Sequence, residues 1–421
     1  MAAGKGIGGS SVKLAIDGGK PYRTRPFPQR TPFGEREIQL VTQAIRSQNL
    51  FGLGGPMVSA FEKGFAELYG VKHAVASTSG TAAIHVAIGT IDPEPGDEII
   101  SAPITDGGGI VPVLYQNCIP VFADVDSTYN MDPRDVERKI TPRTRAIVVV
   151  HLGGNPADMD AFVDIARRHG VYLIEDCSQA HLTEYKGRLC GTFGDLAAFS
   201  LQQSKHMTTG DGGVTITNRD ELAERMMLFR DKGWTRKLGW GPRTYAFLAP
   251  NYRMTELQGA VGLAQLEKVR DVVAKRHELG DYLTELIRDV EGIRPAPVTP
   301  GGKHTYWFYP MRVDSWDNVL FAQALSAEGV PASAGYIGEP IYLCMEALAA
   351  KKTFGRSGHP LDGCHGGRIL EYTRGMCPRT EDELHHMVTL SINENYSKDD
   401  IEDMAGAIRK VAEGLRERAQ A

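Results

Sequence analysis

Three short stretches of this sequence carry residues whose chemistry exceeds what packing requires. In "SLQQSKHMTTGDGG" (200–213) a single lysine, Lys205, follows the apolar run "LAAFS" by a few residues, inside a loop of Ser, Thr and Gly. An amine in a partly desolvated cleft has a lowered pKa, and a neutral amine forms Schiff bases. Ser200 lies five residues earlier with a hydroxyl suited to a phosphate, and "TTGDGG" lets the backbone turn sharply. In "LIEDCSQAH", Asp176 ends another apolar run. A buried carboxylate needs a partner; a protonated ring nitrogen is one such partner, and a helix cap or a metal ligand is the plainer role. In "STSGTAAIHVAI" (77–88), Ser79, Gly80 and Thr81 open a helical pattern. Unpaired N–H groups and the positive end of the dipole make such a start an anion seat, to which Thr81 adds a hydroxyl. Each signal is weak singly: lone lysines in turns are ordinarily surface residues, and helix starts of this kind are common.

The elements that must position these residues are legible as well. "HAVAS" (73–77), "EIISA" (98–102), "PVFADV" (120–125), "AIVVVH" (146–151), "VYLIED" (171–176), "LAAFSL" (196–201) and "GVTITN" (213–218) are rich in Val, Ile and Ala and barely alternate. That is the pattern of strands covered on both faces. "MVSAFEKGFAELY" (57–69) and "DMDAFVDIARRHG" (158–170) carry helical spacing, the second stopping at Gly170. The expected fold class is α/β: a large domain with a mostly parallel, doubly wound sheet, ligands at the carboxyl ends of its strands, and a smaller C-terminal α+β domain. Residues 1–34, rich in Gly and Pro, read as an N-terminal arm; 35–290 as the large domain; 291–421 as the small one. The last helix, 398–418, places Ile401, Met404, Ile408, Val411 and Leu415 on one face, with Ser397 and Asp400 forming a box-like cap.

Composition narrows the function classes. The 421 residues carry a net charge of -5, with 24% charged and 42% hydrophobic residues. Nothing basic points to nucleic acid. No apolar run approaches the ~20 residues of a membrane span, and the N-terminal residues lack a secretory pattern. Six scattered cysteines without a CxxC pair fit a reducing cytoplasm and oppose a zinc ribbon or a disulfide framework. "RSGHPLDGCHGGR" (356–368) holds two histidines and a cysteine without metal-ligand spacing and reads as a loop, so no metal is expected.

A phosphate seat, a Schiff-base lysine and a carboxylate for a pyridinium nitrogen are together the requirements of pyridoxal 5′-phosphate. With these pieces in the order phosphate loop, Asp, Ser, Lys, the sequence resembles the DegT–StrS sugar aminotransferase family of fold-type-I enzymes. The resemblance runs from about Pro28 to Val411 and is carried by "SGTAAIH", "VHLGGNPADMDA", "IEDCSQAH", "SLQQSKHMTTGDGG" and "NYRMTELQGAVGLAQLEK". It implies that Lys205 holds the cofactor as an imine and that Asp176 pairs with the pyridine nitrogen. It also implies that Gln179 contacts the ring hydroxyl and that Gly80, Thr81 and Ser200 bind the phosphate. Asn251 matches a residue that reaches the phosphate from a partner subunit, so a homodimer with shared sites is implied, with Arg253 beside it. The implied activity moves an amino group from glutamine or glutamate to a ketone on a sugar or cyclitol, nucleotide-linked or inosose-like, in antibiotic or cell-surface sugar biosynthesis.

Two positions depart from the family pattern. Where an aromatic usually stacks on the cofactor, the chain reads "PITDGGGIVP" (103–112), with Asp106 and three glycines. His206 follows Lys205; some relatives carry histidine in place of the lysine and dehydrate sugars, but the Ser200–Lys205 spacing keeps lysine at the imine position, and His206 reads as a structural neighbour. A pyridoxal-phosphate sugar dehydratase and a non-catalytic sensor remain the alternatives. His151 reads equally as structural. Tyr306–Tyr309 read as a core strand by default and otherwise as a substrate wall, which "GYIGEPIY" (335–342) would extend.

Overall fold

Apolar runs that do not alternate need cover on both sides, and the structure supplies it. A computed structural model describes residues 13–236 and 242–420, so the first twelve residues of the expected arm lie outside the described residues. Along the chain come β1 (His73–Ser77), β2 (Glu98–Ser101), β3 (Ile119–Phe122), β4 (Thr144–Val150) and β5 (Tyr172–Asp176). A short hairpin, β6 (Glu184–Tyr185) and β7 (Arg188–Leu189), precedes β8 (Leu196–Ser200) and β9 (Gly213–Thr217). Seven of these form one sheet in the order β1-β9-β8-β5-β4-β2-β3, each answering one expected run. β3, β2, β4, β5 and β8 are parallel; β9 is antiparallel to both neighbours.

Side chains alternate between two cores, as the pleat dictates. In β4, Ile147 and Val149 face Phe61, Phe65 and Phe162 from the helices Pro56–Tyr69 and Met159–His169. Ala146 and Val148 face the opposite core with Ile84, Val86 and Ile88 of the helix Gly80–Thr90. The helix Met159–His169 ends at Gly170, whose φ of 66° is left-handed.

Farther on, β10 (Ile293–Arg294), β11 (Gly302–Lys303), β12 (Tyr309–Val313), β13 (Ala332–Ala334) and β14 (Met387–Leu390) follow. β11 extends the β6–β7 hairpin, while the others form an antiparallel sheet in the order β10-β12-β14-β13. Its core takes in the apolar face of the last helix, Lys398–Gln420, with Ile401, Met404, Ile408, Val411 and Leu415 all buried. The capping box is present: the Asp400 N–H donates to Ser397 Oγ at 3.2 Å, and the Ser397 N–H to Asp400 Oδ2 at 2.8 Å.

Two features tie the cores together. The helix Val269–Ile287 puts Val269 and Val273 into the large-sheet core and Leu279, Leu283 and Ile287 into the second. Residues 14–25 lie along the last helix: Leu14 is buried there, and Arg23 pairs with Asp400 at 2.7 Å and Asp403 at 2.8 Å. The aromatic run at 306–309 is not one strand: Tyr306 has a φ of 45°, uncommon for a bulky side chain, and regular pairing begins at Tyr309. Among the described residues no helix is long and apolar enough to cross a membrane.

The helix Gly80–Thr90 is seated tightly enough to be tested. A Cβ at Gly89 would lie 2.0 Å from Cε2 of Phe229. Gly89→Ala is therefore expected to destabilise the protein by about 1–3 kcal/mol through overpacking, read as a lower urea midpoint; an unchanged midpoint refutes this packing.

Candidate active site

The parallel pairing of β5 and β8 aligns Asp176 with Ala198, so Asp176 and Ser200 end neighbouring strands at the same edge of the sheet. Past Ser200 the chain doubles back: the Lys205 N–H donates to the Gln202 carbonyl at 2.9 Å, and the Thr209 N–H to that of Leu201 at 2.9 Å. Arg30 clamps this loop from outside. Its guanidinium donates to the carbonyls of Gln203 at 3.1 Å and His206 at 2.8 Å, and to the Glu394 carboxylate at 2.7 Å. The lysine thus opens on a cleft of about 350 Å³ that Asp176 also lines.

Burial moves both groups toward neutrality. Lys205, only 9% exposed, has its amine pulled down to about 8 by burial, against the opposing pull of Asp176 and Asp106. The Asp176 carboxyl is pushed above its ordinary value by burial; the Ser178 N–H, donating to Oδ1 at 3.0 Å, and the charge of Lys205 hold it down in part. An amine that loses its proton near neutrality is poised as a nucleophile and as a proton carrier.

The helix Gly80–Thr90 starts on the same cleft, with Gly80 and Thr81 in its lining. Ser79 caps it, its Oγ accepting the Ala82 N–H at 3.0 Å. First-turn N–H groups have no intrahelical acceptor and attract an anion. Only glycine permits the approach of Ser200: a Cβ on Gly80 would lie 2.6 Å from Ser200 Cβ. Gly108 is likewise forced, since a Cβ there would lie 2.3 Å from Thr81 Oγ1.

Across the cleft, Gln179 is held at both ends: Oε1 accepts the Gly153 N–H at 2.7 Å, and Nε2 donates to the Tyr336 hydroxyl at 3.2 Å. The Trp307 ring lies over Lys205, with Nζ 3.4 Å from the ring centroid, and its Nε1–H donates to the Ser204 carbonyl at 2.9 Å. Tyr336 meets Trp307 edge-on, at 5.7 Å between centroids. Of the aromatic run, Trp307 lines the cleft, while Tyr306 and Tyr309 are core. The left-handed turn at Tyr306 separates the two fates, and nothing in the sequence marks it. Asp106 lines the cleft with its Oδ1 accepting the Gly108 N–H at 2.8 Å.

Six of the seven expected site residues, Gly80, Thr81, Asp176, Gln179, Ser200 and Lys205, therefore meet in one cleft. Asn251 is not in its lining; it is exposed and forms a backbone bridge with Asp231, to which Arg253 is ion-paired. His206 points away from the cleft: Nε2 donates to the Thr305 carbonyl at 2.9 Å, and burial pushes its pKa far down. His151 is also structural, its Nε2 3.1 Å from Glu175 Oε2 and its Nδ1 accepting the Ala157 N–H at 3.0 Å.

Known proteins share this arrangement of sequence and fold. The L-glutamine:2-deoxy-scyllo-inosose aminotransferase of Streptoalloteichus tenebrarius is 33% identical over 95% of this chain and 97% of its own length. The GDP-perosamine synthase of Caulobacter vibrioides is 40% identical over 62% of this chain and 70% of its own. The X-ray structure of an aminotransferase from Psychrobacter cryohalolentis superposes with a TM-score of 0.81 at 28% identity, covering 94% of this chain and 100% of that one. Residues 32–354 match the DegT/DnrJ/EryC1/StrS aminotransferase family, and with that match the chain belongs to this family of enzymes.

Proposed function

We propose that this enzyme transfers an amino group from glutamine or glutamate to a ketone on a sugar or cyclitol, using pyridoxal 5′-phosphate. One observation carries the reading: a buried carboxylate at the end of β5 and a buried amine in the loop that follows the neighbouring β8 line the same cleft, which the helix Gly80–Thr90 faces with its first turn. These residues fit the cofactor. The glycines at 80 and 108 let Ser200 and Thr81 stand where a Cβ would collide with them, the helix start and the hydroxyls of Thr81 and Ser200 suit a phosphate, and Asp176 suits a protonated ring nitrogen. Relatives named for an inosose and for a GDP-sugar support the acceptor class.

When bound, the cofactor supplies an electron sink for the pair left when the donor Cα–H bond breaks. Asp176 would keep the pyridine nitrogen protonated; its burial strengthens that interaction, because little water competes. Lys205 Nζ would first anchor the cofactor and then, as a free amine, carry the proton between donor carbon and cofactor carbon. Gly80, Thr81 and Ser200 would hold the phosphate, and Gln179, fixed by Gly153 and Tyr336, the ring hydroxyl. His206, turned toward Thr305, leaves Lys205 as the proton carrier and favours transamination over dehydration. Asn251, exposed and outside its own chain's cleft, suits a homodimer in which each chain completes the other's phosphate site. The free cysteines and the lack, among the described residues, of a membrane-crossing helix are compatible with the cytoplasm.

Glutamine or glutamate is expected to bleach the yellow, cofactor-loaded protein, and a keto-cyclitol or keto-sugar to restore the colour with release of an amine; a protein that no donor bleaches overturns the proposal. Lys205→Ala should cost about 10³-fold or more in turnover, and Asp176→Asn about 10²-fold or more, with folding retained in both; near-normal rates remove these residues from the chemistry. Because burial lowers the Lys205 amine to about 8, uptake of pyridoxal 5′-phosphate by the apoprotein should quicken as pH rises through 8 and level off above it; a flat profile across that range contradicts a titrating lysine. Mixing Lys205→Ala and Asn251→Ala chains should restore activity that neither has alone, since one site of the mixed dimer is then intact; no recovery on mixing argues against shared sites.

A further inference from the structure

The segment 356–368 lies apart from the cleft and takes no part in the chemistry above. Its two histidines and one cysteine lack recognisable ligand spacing in the sequence, yet folding gathers them. One ligand atom each from His359, Cys364 and His365 lies within 4.8 Å of the others. His359 Nδ1 is 3.2 Å from Cys364 Sγ, and the two imidazole rings stand 4.9 Å apart at 77°. Zinc–ligand bonds of about 2.0–2.3 Å set tetrahedral neighbours about 3.3–3.6 Å apart, so the His359–Cys364 pair is already near that separation and His365 needs only a small inward movement.

The surroundings orient these groups. His359 Nε2 is 2.8 Å from Asn117 Oδ1. A carbonyl oxygen only accepts, so Nε2 carries the ring proton and the lone pair of Nδ1 is directed at the thiol. Metal-binding histidines are fixed by the same kind of second hydrogen bond. The loop is also pinned to the body of the protein. Arg143 Nη2 donates to the His365 carbonyl at 3.1 Å, Leu361 is buried against Tyr342 and Tyr372, and Arg368 forms a two-pronged pair with the buried Glu98 at 2.6 and 2.9 Å.

We propose that His359 Nδ1, Cys364 Sγ and His365 bind a divalent ion of the zinc type, with solvent in the fourth position. Thiolate plus two imidazoles is a donor set that selects zinc-like ions over calcium or magnesium. Binding replaces the S–H bond of Cys364 with an S–metal bond and sends its proton to solvent, one proton per ion. The ion would cross-link the loop beside β3 without touching the catalytic cleft.

The test uses the full-length, tag-free, cofactor-loaded protein, stripped of metal and titrated with Zn²⁺, and with Co²⁺ as a spectroscopic stand-in. Expected are one tight equivalent of Zn²⁺ per chain, release of one proton, and visible cobalt bands typical of a tetrahedral site with a thiolate ligand. Cys364→Ser should abolish the thiolate-dependent cobalt bands and the tight equivalent, and leave transamination unchanged. Asn117→Gly retains a residue at ease with the left-handed backbone there (φ 58°) and should weaken Zn²⁺ binding about 10–100-fold. No tight equivalent in the parent protein, or equal binding by Cys364→Ser, overturns the proposal and leaves the His359–Cys364 contact as an ordinary hydrogen bond.

Discussion

An amine and a carboxylate taken out of water together set the terms for the rest of this fold. Lys205 and Asp176 are both buried, with 9% and 5% of their surface exposed, and each is shifted toward its uncharged form by that burial. A charge in such a place is costly unless something nearby compensates it. The two groups compensate one another only partly, which is what leaves both chemically responsive. A pair locked in a tight ion pair would hold its charges at any working pH and could neither give up nor accept a proton readily.

Keeping that balance requires positions fixed to a fraction of an ångström, and the surrounding structure is arranged to that end. Parallel pairing of β5 and β8 sets the strand ends in register. Glycines at 80 and 108 let the backbone close in where any side chain would collide. Arg30, reaching from the N-terminal segment, holds the lysine loop by two carbonyls while its own charge is met by Glu394, which also pairs with the buried Arg276. The segment first read as an arm is therefore part of the support for the loop that carries Lys205.

The sheet was legible because strands buried on both faces must be continuously apolar, and seven such runs stand out in the sequence. The polar half of the site was legible because it sits where those runs end, at Asp176, Ser200 and the helix start after β1. What was not legible shares a different cause. Trp307 belongs to the cleft because a left-handed residue, Tyr306, turns the chain just before it, and that conformation is imposed by packing against Gly280 and a bond to Asp281 far along the chain. Tyr336 reaches the cleft from the stretch 335–342, which the sequence offers only as an extension of a substrate wall, and the loop that gathers His359, Cys364 and His365 is pinned by Arg143 and by the Arg368–Glu98 pair, partners that no local pattern betrays. Local pattern reveals what local physics decides; long-range contacts decide the rest.

The helix Val269–Ile287 spans both cores, with its first turns gripped by one and its later turns by the other. Helices without proline or a bulge resist sharp bending, and this one holds neither proline nor a described interruption along its nineteen residues. It acts as a strut, so the two sheets cannot swing apart like jaws about a point within it. Through Tyr306, packed on Gly280 and bonded to Asp281, the same strut also holds the turn that sets the Trp307 ring over Lys205, so one helix braces both the two cores and one wall of the cleft.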